Sequence, residues 1–167
     1  MKKAASYNAL SVHDHALAAH SDFVTLIDRG IEASLLKAHA YDQAFAANPT
    51  DESEQNKAAI SRARVLGLKD VLRLYGGKKG GVGAAEDEEL ERILFQGRAQ
   101  MRSRLHRLTQ EACYRANLVW TTPVADPKHQ KAKDAALKLH GQIEAHQDAL
   151  DYYDKCFNDL ESRACLV

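Results

Sequence analysis

The stretch KKGGVGAAEDEEL, residues 78–90, has the glycine and lysine content of a phosphate-binding loop. Such a loop follows a strand and ends in Gly-Lys-Ser/Thr, because the lysine and the hydroxyl hold the phosphates and a magnesium ion. Here Ala84 and Ala85 stand where the lysine and the hydroxyl belong, and four carboxylates follow at 86–89. We therefore predict a glycine-rich connecting loop at 76–85 and no nucleotide site.

Eight histidines raise the question of a bound metal. The best-spaced candidates are His140 and Glu144, four residues apart and therefore on one face of a helix. Carboxylate-bridged metal bundles use Glu-x-x-His on two helices, and no glutamate in this chain has a histidine three residues later. We predict no metal and no cofactor, and we keep a His/carboxylate bundle that binds a metal or cofactor as an alternative.

Arginine is concentrated between residues 92 and 115, where it occurs six times while lysine is absent. Such a density makes nucleic-acid binding a candidate function. On a helical wheel these arginines flank an apolar face on both sides, as expected for residues that cover the edges of a buried interface. A helical protein that binds nucleic acid through its arginine-rich third helix is therefore an alternative and not the preferred interpretation.

No pattern in the chain indicates a catalytic nucleophile. The Gly-x-Ser-x-Gly motif is absent, and no cysteine has a histidine beside it in the sequence. The three cysteines are Cys113, Cys156 and Cys165, and their odd number and wide spacing favour reduced thiols in a reducing intracellular compartment or a particle interior. We predict that the protein is not an enzyme.

Charge and hydropathy argue against electrostatic attraction to nucleic acid or membranes and against a membrane span. The 23 basic residues balance 23 acidic ones, so no overall field attracts nucleic acid or an anionic membrane. No run of about 18 apolar residues predicts a membrane span, and the segment after Met1 lacks the apolar stretch of a signal peptide. We expect neither a signal peptide nor membrane insertion.

Four amphipathic helices are the elements that carry these side chains. Aromatic residues make up 7% of the chain, and Ala and Leu supply much of its 45% hydrophobic content, which favours helices over sheets. Apolar residues recur at helical spacing in segments separated by Pro49, the glycine-rich loop and Pro123. The prediction is an all-α fold in which long antiparallel helices form a four-helix bundle or two linked helical hairpins. The single domain, 1–167, has helices at about 11–47, 51–75, 86–120 and 127–164.

The fourth helix has a seven-residue apolar repeat, which indicates a coiled-coil-like surface that packs on another helix. Phe157 fills one seam position of this repeat, and His146 fills the other. A histidine there is expected to be a buried residue bonded to a neighbour. The functional alternative is a polar residue that sets helix register or senses pH.

Charged residues predict how the third helix packs on the fourth. If the chain reverses at 121–126, Arg98 faces Asp148 and Arg102 faces Glu144. Each exposed pair contributes only ~0–1 kcal/mol, so these pairs define register more than stability. These four residues and the two seam residues are the candidate interface or register residues.

Long amphipathic helices without a catalytic motif favour a structural role. We predict a non-catalytic structural or adaptor subunit that binds other protein chains, in a homo- or hetero-oligomer, within a larger assembly. A virion, an organelle complex and a secretion apparatus all suit such a chain. This interpretation predicts exposed apolar patches larger than a monomer normally tolerates.

Overall fold

Four long α-helices make up the fold, which confirms the predicted all-α class. The structure, a computed structural model, describes residues 12–76 and 87–164, with side chains for 14–75 and 96–158. Of the predicted glycine-rich loop at 76–85, residues 77–85 lie outside the described residues. The helices, each bounded within one residue of its prediction, are α1 (Val12–Ala47), α2 (Glu52–Gly76), α3 (Asp87–Thr121) and α4 (Pro127–Ala164). Within the described part of the chain, no helix is long and apolar enough to cross a membrane.

Two aspartates explain where α2 and α4 begin. The Ser53 backbone N–H donates to Asp51 Oδ1 at 3.0 Å, and the Lys128 N–H donates to Asp126 Oδ1 at 2.8 Å. Each carboxylate satisfies an amide that the first helical turn leaves unpaired. Pro127 follows Asp126 at a position where the missing N–H is not needed.

Helices that are adjacent in sequence are antiparallel. The connections at 48–51 and 122–126 are short, so each reverses the chain directly. Asp42 forms an ion pair with Arg62 near the first connection, while His20 and Tyr75 meet at the far end of the same hairpin. The two halves of the chain are therefore two helical hairpins, α1–α2 and α3–α4.

In contrast, α2 and α4 run in the same direction. Lys133 Nζ lies 3.1 Å from Glu52 Oε2 near the beginning of both helices, and the Tyr75 and Tyr153 rings lie 6.2 Å apart toward their ends. These two helices form the central pair of the bundle, with α1 and α3 on either side. The bundle is therefore flattened, because a diagonal pair of helices is in direct contact.

Glycines permit the close approach of α2 and α4. A Cβ atom at Gly67 would lie 2.6 Å from the Ala145 Cβ. One at Gly141 would collide with the Ile60 carbonyl oxygen and would lie 2.9 Å from the Ala63 Cβ. Because backbone atoms occupy the space, a larger residue at these positions requires the two helices to move apart.

Large rings fill the core at one end of the bundle, which we term the aromatic end. Phe23 on α1 lies 4.5 Å from Tyr75 on α2 and 5.8 Å from Tyr153 on α4, measured between ring centroids. Phe157 stacks on Tyr153 at 4.4 Å. These rings belong to one continuous buried cluster, whose other members are Ala19, Ile27, Leu68, Val71, Met101, Ala145 and Ala149.

The opposite end, near the two short connections, has a different core, and we term it the small-residue end. Leu108 and Leu139 are its large buried side chains, and both lie toward the middle of the bundle. The remaining buried residues are small: Ser34, Ala38, Ala58, Ser61 and Ala132. The core therefore becomes narrower from the aromatic end to the small-residue end.

The seven-residue repeat of α4 is buried only in part. The seam position that contains His146 is buried, whereas Ile143 and Leu150 of the other position are partly exposed. Gly141 and Ala145 face α2 instead. The apolar repeat did not predict this surface, because small residues of α4 make the contact with α2.

Candidate functional site

A polar cluster lies where α2, α3 and α4 meet. His146 on α4 is 1% exposed, with its Nδ1 at 2.8 Å from the Gln142 carbonyl oxygen and its Nε2 at 3.7 Å from Asp70 Oδ2. Asp70 on α2 accepts a hydrogen bond from Arg104 Nε of α3 at 3.1 Å and another from Arg73 Nη2 at 2.6 Å. One carboxylate therefore links three helices.

The bond to Gln142 defines the protonation of His146. A carbonyl oxygen only accepts, so the proton lies on Nδ1 and Nε2 carries a lone pair. Among the described residues, this buried Nε2 has no hydrogen-bond partner. Burial lowers the pKa of His146, whereas the Gln142 bond and the negative charge of Asp70 raise it, and the net direction is downward. The imidazole is therefore neutral in the folded protein at neutral pH.

Asp70 remains ionised beside this neutral ring. Burial raises the pKa of Asp70. The hydrogen bonds and charges of Arg73 and Arg104 lower it by more than burial raises it, so the pKa lies below its ordinary value. The guanidinium of Arg73 is largely exposed on the other side of the carboxylate. The cluster therefore fixes helix positions on its inner side and presents positive charge on its outer side.

A second, partly buried polar contact joins α1 to α2. The Tyr75 hydroxyl and His20 Nδ1 are hydrogen-bonded at 3.0 Å, and the two rings stack at 5.2 Å. Burial lowers the pKa of His20 and raises that of Tyr75, so the neutral forms of both are favoured. Burial also raises the pKa of the Cys156 thiol nearby, which makes this cysteine a poor nucleophile.

The predicted register of α3 against α4 is wrong. Arg98 Nη2 lies 2.6 Å from Asp154 Oδ1, six residues beyond the predicted partner Asp148. Asp148 instead forms an ion pair with Arg64 of α2. The difference arises because α4 contacts two helices with complementary charges, and a hairpin model that considered α3 alone could not distinguish them.

Glu144 also lies on the side of α4 that faces α2. Its Oε2 is 3.9 Å from Arg64 Nη1, and its Oε1 is 3.4 Å from His140 Nε2. Arg102, the partner predicted for Glu144, is exposed on α3. Among residues 14–75 and 96–158, no group of three His, Cys, Asp or Glu side chains could hold a metal ion, so His140 and Glu144 have no further ligand there.

Phe157 lies in the core of the aromatic end. Its side chain is buried, and its ring contacts Tyr153 and Phe23. The structure therefore places this predicted interface residue inside the bundle.

Large apolar side chains are exposed where α3 and α4 connect. Trp120 is 88% exposed and Val124 is 84% exposed. The Lys133–Glu52 ion pair aligns the sixth residue after the start of α4 with the start of α2. The α3–α4 hairpin therefore extends about 9 Å further than α2 at this end. We term residues 120–126 the hairpin tip.

A second exposed apolar area lies on the α1–α2 hairpin. Leu35 is 51% exposed and Leu66 is 50% exposed. Leu35 precedes Asp42 by two helical turns and Leu66 follows Arg62 by one turn, so each leucine shares a helix face with one member of the Asp42–Arg62 pair. The ion pair therefore places both leucines on the same side of the hairpin.

The fold and these clusters define the class of protein as an all-α four-helix bundle with a partly buried histidine–aspartate–arginine cluster. Comparison with models of protein families, with curated proteins and with solved structures finds no match.

Sequence reasoning did not single out Asp70, Arg64 or Trp120. Asp70 lies between the buried residues Leu68 and Val71, and a carboxylate inside an apolar seam is a usable signal of a buried ion pair. For Trp120 no such signal exists, because its type and position at a helix end are equally compatible with burial.

Proposed function

We propose that this chain is a non-catalytic structural or adaptor subunit that binds another protein chain through exposed apolar side chains. The observation that carries this proposal is the exposure of Trp120 and Val124 at the hairpin tip. Tryptophan is enriched in the central, energetically dominant part of protein interfaces. A partner that covers the tip explains why two large apolar side chains point into solvent.

The polar clusters support the same proposal, because their buried side chains form hydrogen bonds with other groups of the protein. His146 and Tyr75 are almost completely covered, and each is bonded to a neighbouring helix or carbonyl group. Groups held in this way stabilise a unique packing of helices.

Affinity capture with the full-length protein tests the proposal. Tagged wild-type protein is incubated with extract of the source cells, and the bound proteins are quantified by mass spectrometry. Trp120→Ser combined with Val124→Ser removes the apolar surface of the tip. Leu36→Ser is the matched control, because Leu36 is an exposed apolar residue on α1, away from the tip. We expect the tip variant to lose the specifically bound protein and the control to retain it.

Light scattering across a range of concentrations identifies the kind of partner. An oligomer that the tip variant does not form indicates a second copy of this chain. Trp120 is the only tryptophan, so a partner that covers the tip also shifts the emission of the wild-type protein to shorter wavelength. If the tip variant retains the same bound proteins and the same mass, the proposal is wrong.

A further inference from the structure

Four cations border the exposed surface between α2 and α3. Arg73 and Arg104 are bonded to Asp70, as described above. Lys69 lies one turn before Arg73 on α2, and Arg107 lies one turn after Arg104 on α3, both exposed. We term these four side chains the basic surface.

The direction of α2 and α3 brings the four cations together at two adjacent levels, Arg73 with Arg104 and Lys69 with Arg107. The helices are antiparallel, since Asp70 meets Arg104 while Tyr75 meets Gly97, where a Cβ would lie 2.7 Å from the tyrosine ring. Lys69, one turn before Arg73 on α2, and Arg107, one turn after Arg104 on α3, are therefore displaced in the same direction along the bundle. Asp70 is the carboxylate bonded within this set. On α1, the exposed Asp28 and Glu32 lie two residues on either side of Gly30, which faces Leu68, so they are near the level of Lys69. Four positive charges therefore meet three nearby negative charges.

The next acidic residue on α3 does not neutralise this excess. Glu111 lies one turn beyond Arg107, and its Oε1 is 3.4 Å from Arg115 Nη2. Glu111 is therefore paired with Arg115 on its own helix and not with Arg107. The basic surface retains an excess of positive charge on its exposed side.

Apolar surface adjoins these charges. Leu66 lies three residues before Lys69 and seven before Arg73, so the three share one face of α2. Leu35 of α1 lies on the same side, as the Asp42–Arg62 pair shows. The outer face of α2 therefore combines exposed leucines with a row of cations.

We propose that this surface binds an acidic amphipathic helix of the partner protein. This assignment rests on the proposed function and specifies the chemistry of the partner. The leucines of such a helix cover Leu66 and Leu35, while its carboxylates face the basic surface. The α2 face from Arg62 to Arg73 is about 16 Å long, which matches roughly three helical turns of the partner.

The leucines favour a protein over a nucleic acid as the ligand. A phosphate backbone neutralises cations but offers no apolar group that would cover an exposed leucine. An amphipathic helix satisfies both parts of the surface at once.

Fluorescence anisotropy with the full-length protein tests this assignment. The probe is a labelled amphipathic peptide of about four helical turns, with glutamates on one face and leucines on the other. Lys69→Glu combined with Arg107→Glu reverses two charges of the basic surface that are not bonded to Asp70. Lys128→Glu combined with Lys131→Glu, both exposed at the start of α4, makes the same change in net charge elsewhere.

We expect the first double variant to weaken peptide binding at least about tenfold and the control to change it less than about twofold. Leu66→Ser is also expected to weaken binding, because it removes apolar contact area. Circular dichroism shows whether each variant retains its helices.

Three results would overturn the assignment. One is the absence of peptide binding to folded wild-type protein, and another is binding that the charge reversal leaves unchanged. The third is tighter binding of a labelled single-stranded oligonucleotide that depends on Lys69 and Arg107 but not on Leu66, which assigns the surface to nucleic acid. If the peptide fails while capture still depends on the hairpin tip, the proposed function survives and only the acidic-helix assignment is lost.

Discussion

The aromatic end and the small-residue end use the same four helices but different side chains. Phe23, Tyr75, Tyr153 and Phe157 bring α1, α2 and α4 together through ring contacts at the aromatic end. At the small-residue end, the buried residues are largely alanine and serine. Large rings bury far more apolar area per residue, so the aromatic end contributes more of the stability.

Exposed apolar side chains show the opposite distribution. Tyr114, Trp120 and Val124 are all exposed near the α3–α4 connection, at the small-residue end. Leu35 and Leu66 are exposed near the middle of the bundle. In the described part of the chain, the large buried rings therefore lie at one end, and the exposed large apolar side chains lie at the other end and near the middle. Under the proposed function, these exposed side chains are the ones that contact a partner. The following substitutions test this separation.

Phe23→Ala should have the largest effect on stability. It removes a completely buried ring that contacts α2 and α4, so we expect the free energy of unfolding to fall by ~3–5 kcal/mol. At the small-residue end, Ala38→Gly should cost only ~1 kcal/mol. Urea unfolding followed by far-ultraviolet circular dichroism measures both. Equal losses would contradict the proposed difference between the ends.

Gly141→Ala tests whether the central pair of helices is rigidly packed. Alanine favours a helix by ~1 kcal/mol over glycine, but its Cβ would collide with the Ile60 carbonyl oxygen of α2. We expect a net loss of ~1–3 kcal/mol in the free energy of unfolding, measured in the same way.

Gly30→Ala is the matched control for this substitution. Its Cβ would lie 3.1 Å from Leu68 Cδ1, the end of a flexible side chain, so the gain in helix propensity should leave stability unchanged or slightly raised. A neutral result for both glycines would show that α2 and α4 separate easily.

His146 should make stability depend on pH. In the unfolded chain its pKa returns to the ordinary value of 6.5, whereas burial between Asp70 and Arg104 lowers it in the folded protein. Below pH 6.5 the unfolded chain therefore binds a proton that the folded protein excludes. Stability should fall with decreasing pH, by up to ~1.4 kcal/mol per pH unit, until the folded pKa is reached.

His146→Gln should reduce this slope, because glutamine does not titrate. His20, whose pKa is also lowered by burial, remains in both proteins and contributes a slope in the same direction. His106→Gln, exposed on α3, is the control. Urea unfolding at a series of pH values measures the slope, and an unchanged slope in His146→Gln would show that another group is responsible.

Trp120→Ser should have the smallest effect on stability. The side chain is almost fully exposed, so we expect a change within ~0.5 kcal/mol in the free energy of unfolding. Circular dichroism in urea is the appropriate measurement, because the substitution removes the only tryptophan. A large loss would mean that the tip belongs to the folded core and would weaken its assignment to partner binding.

The positions of the helices could be predicted from the sequence, because each helix has a local sequence signal. Apolar spacing defines the helical segments, and Asp51, Asp126 and Pro127 define where two of them begin. These signals depend only on neighbouring residues. They therefore identify the elements without knowledge of how the elements pack.

The packing of the helices required information that is not local. Asp148 carries the same charge whether it faces Arg98 on α3 or Arg64 on α2, and the structure pairs it with Arg64. Gly141 lies outside the seam positions of the apolar repeat, yet α4 approaches α2 closely there. The buried position of His146, in contrast, follows from the repeat itself.

The contact between α2 and α4 has a consequence for the newly synthesised chain. Gly67 and Ala145 lie side by side although they are 78 residues apart in the sequence. The α1–α2 hairpin can close as soon as it leaves the ribosome, but its surface for α4 stays uncovered until the fourth helix has been translated. Contacts between such distant segments form late. While α3 and α4 are being translated, the α2 surface that packs on α4 is therefore exposed to solvent, and exposed apolar surface of this kind favours aggregation.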